Sequence, residues 1–186
     1  MRTAVGSFSP LVTFIQEEIS LPIVTIGLLG IAAPLAFAIA TTMSNVPTRR
    51  IGVEKTLIAT SLLIIGGHFL RALSWDSTAL FVGSMMCLLG MGIGNILMPV
   101  MVRKYFPNRV GLISSFYISL TALSASAGSF LAVPFAELGG WRFSLGQWGL
   151  MAALTLLPLI ALRKNSTPEK PLPGVAKQKA IWRSPT

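Results

Sequence analysis

An all-α membrane bundle is the fold class this sequence predicts, and three observations carry it. Charged residues make up 11% of the 186 residues, against about a quarter in a soluble domain. Hydrophobic residues make up 53%, and the mean hydropathy is +0.72. Long runs without any charged residue recur along the chain, with the basic residues collected between them or after the last one.

The runs are best taken in chain order. Residues 3–16 are free of charge but short for a membrane span. Residues 19–48 follow, with 23–43 the strongly apolar part. Residues 56–70 reach across a bilayer only if Lys55 and Arg71 snorkel to the two interfaces. Residues 77–102, 110–136 and 143–162 are each long enough alone, since about 20 apolar helical residues cross the hydrocarbon core. Trp141 and Arg142 open the last as an interfacial anchor pair. The reading is therefore a bundle over residues 1–163, with helices at 3–18, 22–43, 54–73, 77–102, 110–135 and 142–162. Residues 164–186 hold several prolines and basic residues and read as a cytoplasmic tail. Within the tail, residues 177–182 could lie as a short helix on anionic lipid or stay solvated.

The basic residues set an orientation. Arg49, Arg50, Lys55, Arg103, Lys104, Arg109, Arg163, Lys164, Lys170, Lys177, Lys179 and Arg183 fall on one side of such a bundle. Arg71 and Arg142 fall on the other, with Glu17, Glu18, Asp76 and Glu137. The positive-inside rule then places both ends in the cytoplasm. The acids fall in the expected loops, so no span carries a proton-bearing carboxylate.

Small residues mark the expected packing seams. Gly83, Cys87, Gly90 and Gly94 repeat at four, three and four in the fourth run, which puts them on one helix face where another backbone can approach. Gly27, Gly30, Pro34 and Ala38 form a second stripe, and Ser115, Ser119, Ala122, Ser126 and Ser129 a third. The last two stripes suit either helix packing or the border of a water-filled path. Asn95 sits one position off the first stripe, an amide deep in apolar sequence. Pro99 follows, where the helix must bend or loosen.

Several function classes are excluded. The formal net charge is +9, but the basic residues lie between apolar runs without interleaved aromatics, so nucleic acid is not the partner. Cys87 is the single cysteine, which rules out an intrachain disulfide. No signal-peptide cleavage pattern follows Arg2. Gly90, Gly92 and Gly94 resemble a nucleotide loop, but they lie inside an apolar span with no preceding strand. No cluster of His, Cys or carboxylate has metal-ligand spacing. His68 is the only histidine, so no serine has both a base and an orienter. The reading is not an enzyme, with no catalytic residue, metal or cofactor.

A family resemblance enters with the loop Asn45–Val46–Pro47–Thr48–Arg49–Arg50–Ile51–Gly52–Val53–Glu54–Lys55. Lying between the second and third spans, it resembles the loop signature of the major facilitator superfamily through Arg50, Ile51, Gly52 and Lys55. Asn45 stands at that signature's glycine and Arg49 at its acidic residue. Four further stretches resemble the superfamily's cyanate and nitroimidazole transporter branch. These are Arg2-Thr3-Ala4-Val5-Gly6 leading to Ser9-Pro10-Leu11; Gly66-Gly67 with Leu70-Arg71; Gly92-Ile93-Gly94-Asn95-Ile96-Leu97-Met98-Pro99 with Lys104-Tyr105-Phe106-Pro107; and Gly140-Trp141-Arg142 before Trp148. The tail's Ile181-Trp182-Arg183-Ser184-Pro185 resembles the segment before the branch's seventh helix.

The resemblance implies the six-helix N-terminal half of a twelve-helix carrier, with a first helix beginning upstream of Arg2. It implies a secondary transporter for a small anionic or polar organic solute in a bacterial plasma membrane, acting by alternating access with a second six-helix half. That half would be a missing C-terminal half or another copy. The alternative is a non-transporting membrane protein, an interaction partner or a truncated remnant.

Five residues are candidates for the solute. Arg2 would anchor an anion by its planar guanidinium, or else simply sit at the cytoplasmic face. Asn95 can donate and accept, or bond across helices. Tyr117 carries a hydroxyl that needs a partner. Arg71 is a ligand group or a snorkelling anchor at the outer face. His68, one turn earlier, could relay a proton or serve packing. Gln147 and Trp148 are weaker candidates.

Overall fold

A computed structural model describes residues 8–164. Arg2 and residues 165–186 of the expected tail lie outside the described residues. A 3-10 turn at Ser9–Leu11 leads into α1 (Val12–Glu18). There follow α2 (Ile23–Met43), α3 (Asn45–Ile51), α4 (Val53–Ala72) and α5 (Ser77–Tyr105). A second 3-10 turn at Pro107–Arg109 precedes α6 (Val110–Leu154) and α7 (Leu156–Lys164). The described residues hold helices and no strand.

Four helical stretches among them are long and apolar enough to cross a membrane: Ile23–Met43, Val53–Ala72, Ser77–Tyr105 and Pro107–Ala161. The last runs to 55 residues, about 80 Å if straight and far more than one bilayer. It is not straight. Gly139 and Gly140 leave helical geometry, with Gly140 at φ 80°, a value glycine adopts without a Cβ clash. The chain folds back there: Ser144 Oγ donates to the Ala132 carbonyl at 2.8 Å, and Phe135 meets Phe143 edge to face. This run is therefore a helical hairpin whose arms are residues 110–138 and 141–164.

The innermost layer is α4 against α5. At Gly67 an added Cβ would lie 2.7 Å from the Gly83 carbonyl oxygen and 2.9 Å from the Cys87 nitrogen. At Gly90 it would lie 2.6 Å from Ile64 Cγ1 and 3.0 Å from the Thr60 carbonyl oxygen. Gly83, Cys87 and Gly90 thus bring two backbones together, as their spacing predicts. Gly94, the fourth residue of that stripe, meets nothing within 4 Å where a Cβ would stand.

The other two stripes point elsewhere. On α2, Ala32, Ala36 and Ala40 turn inward, and a Cβ on Gly92 would lie 2.6 Å from Ala40 Cβ. Gly27, Gly30, Pro34 and Ala38 are exposed. On α6, Gly128, Ala132 and Ala136 are buried, while Ser115, Ser119, Ala122, Ser126 and Ser129 are exposed. The seam on each helix is the face that meets a flat neighbour, and α2 and α6 each carry small residues on more than one face.

Each end of the bundle has its own fastening. At one end, Glu54 is buried in the first turn of α4. Its carboxylate accepts from Lys104 Nζ at 2.8 Å and from the Tyr105 hydroxyl at 2.9 Å. Contrary to the expectation that all acids lie in loops, Glu17, Glu18 and Glu137 lie exposed within helices and Glu54 lies buried inside one. For Glu54 the cause is Gly52 at φ 87°, which lets α4 begin one residue before Glu54.

At the other end, Leu11, Ile15, Ile19, Leu80, Ala132, Ala136, Trp141 and Leu145 form a buried cluster that holds α1 against the bundle. Beside it, Arg142 lies over the rings of Trp75 and Trp141, 4.7 and 4.3 Å from their centroids. Its Nη2 donates to the Ser74 carbonyl at 3.2 Å, and its Nη1 donates to Glu18. That bond holds the Glu18 carboxyl below the ordinary carboxylate range. Its stabilisation is present above the ordinary carboxylate pKa and fades as pH falls through the lowered value. Glu18 is exposed, so the ion pair is the weaker part of this fastening. Arg142→Ala is expected to destabilise the protein by about 2 kcal/mol through the lost ring contacts and carbonyl bond, and Glu18→Ala by far less. Unfolding titrations of both variants check this; equal effects would assign the fastening to the ion pair.

Candidate functional site

The candidate residues fall into two groups, and the structure brings together only one expected pair across helices. Asn95 lies on α5 and Tyr117 on the first arm of α6. The Tyr117 hydroxyl donates to Asn95 Oδ1 at 3.2 Å. Both residues are half-buried. Gly94 beside them is buried, and an added Cβ there would meet nothing within 4 Å, so a small space adjoins the pair. An asparagine amide has two N–H donors besides the oxygen used here, and a tyrosine oxygen accepts as well as donates. The pair can therefore offer both kinds of hydrogen bond to a polar solute.

Arg71 and His68 form the second group, one turn apart on α4 and each 1% exposed. His68 Nδ1 lies 3.1 Å from the Leu145 carbonyl oxygen. A carbonyl only accepts, so this bond keeps the proton on Nδ1 and ties α4 to the second arm of the hairpin. Gly149 fits closely beside it, 3.0 Å from His68 Cβ at the position of an added Cβ.

Arg71 does not snorkel outward. Its stem lies along Gly83, where an added Cβ would be 2.9 Å from Arg71 Cγ. Its guanidinium stands 5.3 Å from the centre of the Phe8 ring. The inward turn follows from the packing: Gly83 leaves a groove in α5 that only a long, thin stem can fill. A solute could reach Arg71 or His68 only after the surrounding helices part.

The two groups are also far apart. Asn95 lies twelve positions beyond Gly83 on α5, roughly 18 Å along the helix axis. Gln147 and Trp148 are half-buried on the second arm. Arg2 is outside the described residues. Glu54 and Arg142 escaped notice as partners because Lys104, Tyr105 and Glu18 are distant in sequence. The one local signal was the position of Glu54 in the first turn of α4, where a helix dipole favours an acid.

Apolar helices of spanning length, packed through glycine and carrying a half-open polar pair, define a multispan integral membrane protein. The chain belongs to the Major Facilitator Superfamily, whose profile matches residues 1–186. It is 30% identical over its full length to the 2-nitroimidazole transporter of Escherichia coli, of which it covers 47%. It is 28% identical over 99% of its length to an uncharacterized transporter of Bacillus subtilis, YycB, of which it covers 46%. More distantly, 64% of it aligns at 28% identity with the sugar transport protein MST8 of rice, covering 24% of that protein. The chain thus spans about half the length of the first two curated relatives.

Proposed function

We propose that this chain is one six-helix half of a secondary transporter for a small polar or anionic organic solute. The half rocks against a complementary half, and the solute path runs between them. One half presents a wall of such a path and needs the second to close it. Asn95 and Tyr117 are the solute contacts in this half. The observation that carries the reading is their half-buried hydrogen-bonded pair, set in apolar helices beside the small space at Gly94. Intramembrane polar groups of this kind mark solute paths or interhelical bonds, and the partial exposure of both residues supports the path. Arg71 and His68 hold helices together in this conformation, and Arg2 remains a candidate anion anchor. The named relative makes nitroimidazole-like compounds the first solutes to try, with cyanate beside them. The basic end faces the cytoplasm of a bacterial cell in this reading.

The test is uptake into proteoliposomes holding this chain together with a complementary six-helix half. Asn95→Leu and Tyr117→Phe are each expected to lower the initial rate about tenfold, the worth of one lost hydrogen bond in a desolvated site. Full uptake by the double variant would remove the pair from the path. Uptake absent from the unaltered protein, with every solute and partner half tried, would favour a non-transporting membrane protein.

A further inference from the structure

The geometry points to the basic end of the bundle as a docking surface for anionic phospholipid headgroups. The Glu54–Lys104 contact puts the start of α4 and the end of α5 at the same end. The last turn of α3, which leads into α4 through Gly52, contributes Arg49 and Arg50. Arg103 closes α5, and Arg109 follows in the second 3-10 turn. Lys55 adds a sixth basic residue. Among the described residues, Glu54 is the only acid at this end, and it is buried with Lys104 and Tyr105 as partners. Arg49, Arg50, Lys55, Arg103 and Arg109 are all exposed. The opposite end carries Glu17, Glu18, Asp76 and Glu137, with Arg142 bonded to Glu18.

Charge complementarity and depth together select the occupant. Four of the five exposed cations are arginines, whose planar fork matches a phosphate bidentately. Lys55 and Arg103 stand at the ends of helices of spanning length, and Arg49, Arg50 and Arg109 on the short segments beside those ends, the level at which headgroups lie. Ile51 and Phe106 are exposed at the same end, 44% and 50%, and such side chains enter the boundary between headgroup and acyl chain. The inference rests on the placement of these charged and apolar side chains and stands whether or not the chain transports a solute.

The experiment uses the full purified chain in a neutral detergent, with phosphatidylglycerol or phosphatidylcholine added. Retained lipid is counted by native mass spectrometry. Phosphatidylglycerol is expected to be retained about fivefold over phosphatidylcholine at low salt, and the preference to fall sharply at about 0.5 M salt. The variant R49Q/R50Q/K55Q/R103Q/R109Q is expected to lose the preference. A variant neutralised only in the tail, R163Q/K164Q/K170Q/K177Q/K179Q/R183Q, is expected to keep it. Equal retention of the two lipids by the unaltered chain would overturn the inference, as would a preference indifferent to salt. So would loss of the preference in the tail variant alone, or full displacement of the lipid by millimolar inorganic phosphate. The first two measurements need no variant and decide the matter even if the five-site protein fails to fold.

Discussion

Gly67→Val is expected to force α4 from α5 and to cost the fold about 3 kcal/mol, the upper end of overpacking. The size follows from what the new side chain meets. Cys87 Sγ, at 2.7 Å from the added Cβ, could turn aside. The Gly83 carbonyl oxygen and the Cys87 nitrogen belong to the α5 backbone and cannot. Gly83 reciprocates, since its own added Cβ would lie 2.9 Å from the Gly67 carbonyl oxygen. Lipid is as apolar as these side chains, so helix association in a membrane depends on close van der Waals contact and not on hydrophobic burial. Separating the two backbones removes that contact along the whole seam. Gly27→Ala and Gly94→Ala are the controls, because nothing lies within 4 Å of either added Cβ; each is expected to change stability by less than about 0.5 kcal/mol. Unfolding in mixed micelles by graded denaturing detergent measures all three. An unfolding midpoint for Gly67→Val equal to that of the unaltered protein would refute the tight crossing.

Trp141→Ala is expected to cost about 4 kcal/mol, within the range for emptying a buried aromatic site. Trp141 is 2% exposed and the largest of the fully buried side chains. It packs with Leu11 and Ile15, which belong to the first segment, and with Leu80, Ala132 and Leu145 from the bundle. Its removal leaves a void at the place where α1 is attached, so the damage should be local before it is global. Hydrogen exchange should show residues 8–19 losing protection while the α4–α5 seam keeps it. Loss of protection at both places together would mean that α1 and the bundle unfold as one unit. Trp141→Phe fills most of the void and should fall well short of the alanine effect.

Much of the bundle was readable from the chain. The spans at 23–43 and 77–102 correspond to α2 and α5, although α5 continues through Pro99 to Tyr105. Three members of the Gly83 stripe pack as their spacing implied. The pairing of Asn95 with Tyr117 required knowing that α6 passes beside α5, which neither residue announces. The inward turn of Arg71 was not legible, because its position near a helix end is all that the sequence shows and that position suits an outward anchor as well as a ligand group. The groove at Gly83 that receives its stem belongs to another helix. The stripes at Gly27 and Ser115 have the spacing of seams and yet are exposed, because spacing identifies a face without identifying a neighbour.

Hydropathy and charge add up residue by residue, so the chain alone determined which segments are apolar enough to cross lipid and which end of the bundle is basic. Contact between helices depends on two surfaces at once. Only the tertiary structure therefore decided which small residues touch, where Arg71 and Glu54 turn, and that Asn95 and Tyr117 meet.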